Sequence, residues 1–212
     1  MKKLKITIVA ILLLSFSITS YSQKYKKGVE YKLNMEKLIA TNEITWYGWD
    51  FSNMKITDPK QFSQAKEVKE QHIPALIGLL NEQFTLRWVE RQLKKEKFNS
   101  DLTEIQKRYT QINEENLVTF ESYELTIDSI KSIVKSYTLT RKSGIGFVVI
   151  MENLNKPKRY TTSFPTFFDI ETREVLYATK MKGKPGSKYG YAKYWEEGIL
   201  ETFYYYFKKY YL

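Results

Sequence analysis

The C-terminal part of the chain, residues 160–212, constrains the fold most strongly. Residues 160–170 and 174–181 are rich in aromatic and β-branched side chains and are separated only by Glu-Thr-Arg, so they predict two strands joined by a tight turn. The preceding segment 147–151, FVVIM, is a continuous apolar run that is typical of a central strand buried on both faces. These three segments together predict an antiparallel meander.

A helix is predicted to follow the meander over residues 191–212. Its aromatic and aliphatic residues recur on one stripe, so we expect it to pack across the sheet. Tyr204 and Tyr205 fall off that stripe. They are candidates for a surface that meets a partner, because a helix that buries only one stripe leaves such rings exposed.

The N-terminal half predicts a first strand over residues 43–57, in which Gly48 marks either a β-bulge or a close approach of another backbone segment. Asp58 and Pro59 have the residue types that begin a helix. Apolar residues at helical spacing from residue 73 onward predict a core-facing helix, residues 86–89 fit either helix or strand, and residues 99–116 predict a polar surface connection. The fold class is therefore α+β. We expect an antiparallel or mixed sheet, covered on one face by helices that include the long C-terminal one.

The first residues have the pattern of an export signal. Lys2 and Lys3 precede an apolar segment at residues 6–16, and small residues then flank Tyr21 at a cleavage site. An uncleaved membrane anchor would need a longer apolar segment. The sequence thus predicts a signal peptide at residues 1–22, a flexible leader at 23–42 and a single domain at 43–212, in an exported protein of the periplasm or the exterior.

The residue types that are missing or rare exclude several classes of chemistry. The chain has no cysteine, so it can be neither a bacterial lipoprotein nor held by disulfides, and it has no thiolate ligands. His72 is the only histidine, which argues against a Ser-His-Asp triad and a transition-metal site. We predict no catalytic residue, no metal and no cofactor.

The formal net charge of +10 is carried by lysines that are spread along the chain among glutamates. Such a surface is typical of a soluble protein and also suits an anionic partner. It lacks the arginine-rich block or recognition motif that a nucleic-acid partner requires. No later segment is apolar enough to span a bilayer.

Four segments resemble a family of uncharacterised exported bacterial domains. They read ITWYGWDFSNMKI, GIGFVVIMENLNK, PTFFDIETREVL and GKPGSKYGYAKYW, and the last resembles a family loop of the form G-K-x-G-G-x-G-x-R-x-Y-W. In this chain the loop is one residue longer, Ser187 replaces a glycine and Ala192 replaces the arginine. The resemblance implies export and a single α+β domain, and no activity is known for the family.

Two further places in the sequence are candidate sites. Lys184 and Lys188 lie in the loop GKPGSKYG before the last helix, where a helix N-terminus and two ammonium groups can hold an anion. The same glycines also suit a loop that only turns the chain. Asp50 lies between Trp49 and Phe51 in an apolar strand, where it serves either a bulge or turn, or acid–base chemistry on a sugar.

These features favour a non-catalytic binding or envelope-associated module whose partner is another envelope protein or an anionic surface. The alternative is a carboxylate-dependent hydrolase that acts on envelope glycans. A cleft with two close, partly buried carboxylates would favour the hydrolase. A flat sheet edge or an exposed tyrosine patch would favour the binding module.

Overall fold

The computed structural model describes residues 28–58, 65–84, 95–186 and 189–210, with the side chains of 205–210 left undescribed. Residues 1–22, Lys188 and residues 86–89 lie outside these ranges, and so do the predictions made for them. The strands are β1 Glu30–Lys32, β2 Glu43–Asp50, β3 Lys55–Thr57, β4 Lys97–Ser100, β5 Val118–Thr119, β6 Ile145–Asn155, β7 Tyr160–Asp169, β8 Val175–Thr179 and β9 Met181–Gly183. The helices are α1 Met35–Ala40, α2 Ala65–Glu67, α3 Ile73–Gln83, α4 Thr103–Thr110, α5 Ile127–Lys135 and α6 Tyr191–Tyr210, with a π-helical turn Val68–His72 between α2 and α3 and a 3-10 turn Glu114–Asn116 after α4.

The nine strands of the described residues form one mixed sheet, whose main path runs β1-β8-β7-β6-β2-β4. Strands β6, β7 and β8 are the predicted antiparallel meander, and β9 extends it by pairing with β7. Strand β2 is parallel to β4 and β6, and β3 is parallel to β5 and β6. The predicted α+β class is thereby confirmed.

Strand β6 is the centre of the sheet. All eleven of its residues are buried, as expected for a strand with neighbours on both sides and packing on both faces. Its partner β7 continues into a tight turn, where the Asp169 carboxylate accepts hydrogen bonds from the backbone N–H groups of Glu171 and Thr172, both at 2.8 Å. Arg173 completes this turn with a φ of 61°. The hairpin predicted from residues 160–181 is confirmed.

The predicted bulge at Gly48 is also confirmed. The register between β2 and β6 shifts between Trp46 and Gly48, and Gly48 has a φ of 107°, which only glycine adopts without strain. The bulge lets the aromatic side chains on either side of it remain buried although the strand gains a residue.

One face of the sheet, called here the aromatic face, is covered by α3 and α6. The rings of Phe147 and Phe167 stack at 4.4 Å between centroids, and the ring of Trp46 lies 4.6 Å from that of Phe84. Helix α6 approaches β9 closely at Gly183, because glycine has no side chain. A Cβ at this position would lie only 1.9 Å from the carbonyl oxygen of Gly198. The predicted C-terminal helix therefore packs across the sheet.

The opposite face, called here the open face, carries a second core around Val148, Ile150 and Phe164. Helix α5 packs on it through Ile130 and Val134. The sequence predicted helices over one face, and the structure shows that α5 covers part of the other face as well.

Two segments are more structured than the sequence indicated. Strand β1, placed in the predicted leader, pairs with β8, and Leu38 of α1 is buried in the aromatic-face core. Residues 99–116 contain α4, which buries Ile105, so the prediction of a surface connection there was wrong. In both cases the contacts are with distant parts of the chain, and a local apolar pattern does not reveal them.

Candidate functional site

Asp50, the polar residue predicted on the first strand, is completely buried at the end of β2. One carboxylate oxygen accepts the backbone N–H of Ser52 at 2.8 Å, and the other accepts the Tyr137 hydroxyl at 2.7 Å. Both oxygens thus have partners within the fold. The geometry matches the turn role rather than a carboxylate that meets a substrate.

The Asp50–Tyr137 pair continues into a network behind α5. The Arg108 guanidinium lies 4.7 Å from the centroid of the Tyr137 ring, and its Nε donates to Glu104 at 2.8 Å. Burial and the negative charge and hydrogen bond of Asp50 raise the pKa of Tyr137 well above its ordinary value. Tyr137 therefore remains a neutral donor to Asp50 at physiological pH.

The predicted loop and tyrosine candidates do not converge in the described residues. The Lys184 side chain is exposed after β9, and its carbonyl oxygen lies against Gly198 of α6. Tyr204 is half-buried, and its hydroxyl donates to the Gln83 carbonyl at 2.6 Å, which ties α6 to the end of α3. Lys188 and the side chain of Tyr205 lie outside the described structure.

A polar cleft that the sequence analysis missed lies on the open face, at the far end of β6 from the hairpin turn. It has a volume of about 180 Å³, and we call it the Glu152 cleft. Its lining residues are Gly28, Val29, Tyr123, Glu124, Glu152, Tyr160, Thr162, Lys180 and Lys182. The signal that could have revealed it is a single charged residue, Glu152, directly after the apolar run FVVIM.

Glu152 is 1% exposed and sits where the register of β6 and β7 shifts between Met151 and Asn153. Its carboxylate accepts the backbone N–H of Leu125 at 2.6 Å and lies 3.1 Å from the Lys180 ammonium. The same ammonium lies 3.5 Å from the carboxylate of Glu124, which is exposed. Lys180 therefore contacts two carboxylates at once.

Two tyrosines form the sides of the cleft. Tyr123 donates its hydroxyl to the Asn53 carbonyl at 2.9 Å, and Tyr160 accepts from the Asn155 amide at 3.2 Å. Burial and the nearby Glu152 charge raise the pKa of both hydroxyls. Both tyrosines consequently stay neutral beside the charged groups.

The remaining cation of the cleft is Lys182. Its ammonium lies 3.9 Å from the centroid of the Tyr160 ring, and it has no carboxylate partner within the described ranges. Gly28 closes the opposite wall, where a Cβ would lie 1.6 Å from the Lys180 carbonyl oxygen. Only glycine allows the chain to pass so close to Lys180.

A second cavity on the open face is larger and lies between α5, the hairpin turn and the residues after β1. It has a volume of about 800 Å³, and we call it the basic groove. Its lining residues are Leu33, Asn34, Lys131, Ser132, Lys135, Ser136, Arg173, Glu174, Val175 and Leu176. Three cations and one carboxylate thus surround a base that contains the buried side chain of Val175.

A third cavity, of about 340 Å³, lies between α3 and α4 beside Gly48. None of the described residues that line it carries a charge, and the Tyr109 hydroxyl on its wall already donates to the Lys69 carbonyl. It offers an apolar space with no charged group to orient a ligand.

The described residues contain no group of three or more histidine, aspartate and glutamate side chains arranged to hold a metal ion. None of the helices in the described ranges has both the length and the apolar character needed to cross a bilayer. No model of a known protein family matches the chain, and no curated protein is significantly similar to it.

Proposed function

We propose that this protein is an exported, non-catalytic module that binds an acidic protein segment in the basic groove. The observation that carries the proposal is the pair of cations Lys135 and Arg173, which have no carboxylate partner in the part of the chain that the structure describes. Uncompensated cations on a concave surface attract and orient an acidic partner.

The backbone holds these two cations in place without neutralising them. The Lys135 ammonium donates to the Thr172 carbonyl at 3.3 Å, and Arg173 Nε donates to the Tyr137 carbonyl at 3.3 Å. Lys131, one helical turn from Lys135, has only an exposed ion pair with Asp128 at 3.0 Å. Such a pair contributes about 0–1 kcal/mol, so a partner's carboxylate can replace Asp128 at little cost.

The shape of the groove favours a protein segment over a flat anionic surface. Its cations stand beside the aliphatic side chains of Leu33 and Val175, so one partner can place carboxylates on the cations and apolar side chains on the base. A membrane surface would contact the exposed lysines but could not fill the concave base.

Export rests on the N-terminal pattern of Lys2, Lys3 and the apolar segment that follows them. The absence of catalysis is supported by the two best-placed carboxylates. Both carboxylate oxygens of Asp50 accept hydrogen bonds from within the fold. Glu152 and Glu124 both lie beside the ammonium group of Lys180. Both glutamates of the cleft are therefore engaged by the same ammonium, and neither is arranged as one of two free carboxyl groups on either side of a sugar bond.

The test is a binding titration with a labelled hexapeptide that alternates glutamate and leucine. The double variant Lys131→Glu/Lys135→Glu should bind at least about tenfold more weakly than the unmodified protein. The matched control is Lys158→Glu/Lys193→Glu, which makes the same charge change at two exposed lysines away from the groove and should change the affinity by less than about twofold.

Equal loss of affinity in both double variants would show that net charge, and not the groove, attracts the peptide. Vesicles that contain an anionic phospholipid form the second arm of the experiment. If the protein binds these vesicles and not the peptide, the partner is an anionic surface and the proposal of a protein segment is wrong.

A further inference from the structure

The Glu152 cleft is built around a buried charge that the fold alone does not explain. A buried carboxylate is costly unless it is paired and hydrogen-bonded, and an apolar residue at such a position is often as stable or more stable. Glu152 is held by the Lys180 ammonium and the Leu125 N–H, and it follows directly on the apolar run of β6. A buried, paired carboxylate that lines a cleft is a candidate for contact with a ligand.

The charges of the cleft are divided between two ends. At one end the single ammonium of Lys180 faces the carboxylates of both Glu152 and Glu124, which leaves an excess of one negative charge. At the other end Lys182 lies over the Tyr160 ring without a carboxylate partner in the residues described, which leaves one positive charge.

We propose that the Glu152 cleft binds a small zwitterion of the α-amino-acid class. The ligand's ammonium lies towards Glu124 and Glu152, and its carboxylate lies towards Lys182. A simple anion would satisfy only the Lys182 end, and a simple cation only the glutamate end. A neutral sugar would leave both excess charges without a partner.

The size of the cleft agrees with this class of ligand. A volume of about 180 Å³ lies below the range of roughly 300–1,000 Å³ that is usual for sites of drug-sized ligands. The rings of Tyr123 and Tyr160 and the side chain of Val29 supply an apolar wall for a short side chain. The cleft therefore suits one free amino acid rather than a peptide.

This inference is independent of the proposed function. The cleft and the basic groove share no lining residue, and they lie at opposite ends of β7. The two proposals can fail separately, because their probes and their variants are different.

The test measures thermal unfolding of the mature protein with glycine, L-alanine, L-serine and L-glutamine, each at about 10 mM, a concentration that populates millimolar sites. At least one of these amino acids should raise Tm in proportion to the logarithm of its concentration. L-Lactate and L-alaninamide, which each lack one of the two charges of L-alanine, should raise Tm less at the same concentration. Glucose serves as the neutral probe.

Two variants remove one charge from each end of the cleft. Lys182→Gln and Glu124→Gln alter exposed side chains, so they should fold normally, and each should weaken amino-acid binding at least about tenfold. Their controls are Lys193→Gln and Glu171→Gln, which make the same chemical changes outside the cleft and should leave the affinity unchanged.

The proposal is overturned if none of the four amino acids shifts Tm, or if Lys182→Gln and Glu124→Gln bind as tightly as the unmodified protein. An equal response to L-lactate would assign the cleft to a simple anion, and an equal response to L-alaninamide would assign it to a simple cation. A response to glucose alone would assign it to a polyol. Each of these results contradicts a zwitterion site.

Discussion

The two faces of the sheet use the same strands for different purposes. The aromatic face is closed by α3 and α6 over rings such as Phe147 and Phe203, and it holds the larger of the two hydrophobic clusters. The open face has a smaller core under α5, and it carries the Asp50–Tyr137 pair, the Glu152 cleft and the basic groove. The contrast indicates that one face supplies most of the stability, which allows the other to hold charged and incompletely covered surfaces.

The largest expected effect is on the aromatic face. Phe147 is completely buried and stacks on Phe167, so Phe147→Ala should lower the free energy of unfolding by about 3–5 kcal/mol. Urea denaturation measures this loss. On the open face, Val148→Ala removes a smaller buried side chain of the neighbouring residue and should cost less. If Val148→Ala costs more than Phe147→Ala, the two faces do not differ in the way described.

The second expected effect is sensitivity of the open face to alkali. Burial and the Asp101 charge raise the pKa of Tyr47 to about 12. The pKa of Tyr137 is also raised, by burial and by Asp50. Because the folded protein holds these protons more tightly than the unfolded chain, their contribution is fully present below pH 10 and decreases as the pH rises further.

From Tyr47 alone the free energy of unfolding should fall by on the order of 2–3 kcal/mol between pH 10 and pH 12. Urea denaturation across this range, together with tyrosinate absorbance, measures the decrease. Tyr47→Phe should make it smaller, and it should not destabilise the protein at pH 7, because the buried Tyr47 hydroxyl has no hydrogen-bond partner in the described residues. An unchanged alkaline decrease in Tyr47→Phe would contradict this assignment.

The third expected effect is a difference between Tyr137 and Tyr47, two tyrosines of the open face, in how much each hydroxyl contributes to stability. Tyr137→Phe removes the donor to a buried carboxylate, so it should lower the free energy of unfolding at pH 7 by about 1–3 kcal/mol. The comparison is Tyr47→Phe, which removes a hydroxyl group that has no hydrogen-bond partner among the described residues. Equal effects of the two substitutions would show that the Asp50–Tyr137 hydrogen bond contributes nothing specific to the open face.

The parts of the fold that sequence patterns predicted are those with a local cause. The apolar run of β6, the turn residues of the β7–β8 hairpin and Gly48 at the bulge each impose their structure within a few residues. Strand β1 and helix α4 have no comparable pattern, because their order depends on contacts with β8 and β2 respectively. Pairing between distant segments is not visible in a single sequence.

The candidate sites were harder to predict for the same reason. The sequence singled out Asp50 but not its buried partner Tyr137, which is 87 residues away in the sequence. The Glu152 cleft and the basic groove each combine residues of several elements, so nothing in the sequence distinguished Glu152, Lys131 or Lys135 from other charged residues. Whether an exposed lysine is paired with a carboxylate can be seen only in the three-dimensional structure.

The most direct test of the account measures two quantities on one protein, the variant Lys131→Glu/Lys135→Glu. If the open face serves binding and the aromatic face serves stability, the free energy of unfolding should stay within about 0.5 kcal/mol of the unmodified protein. The affinity for the glutamate–leucine hexapeptide should fall at least about tenfold. A variant that unfolds more easily and binds the peptide as before would contradict the account.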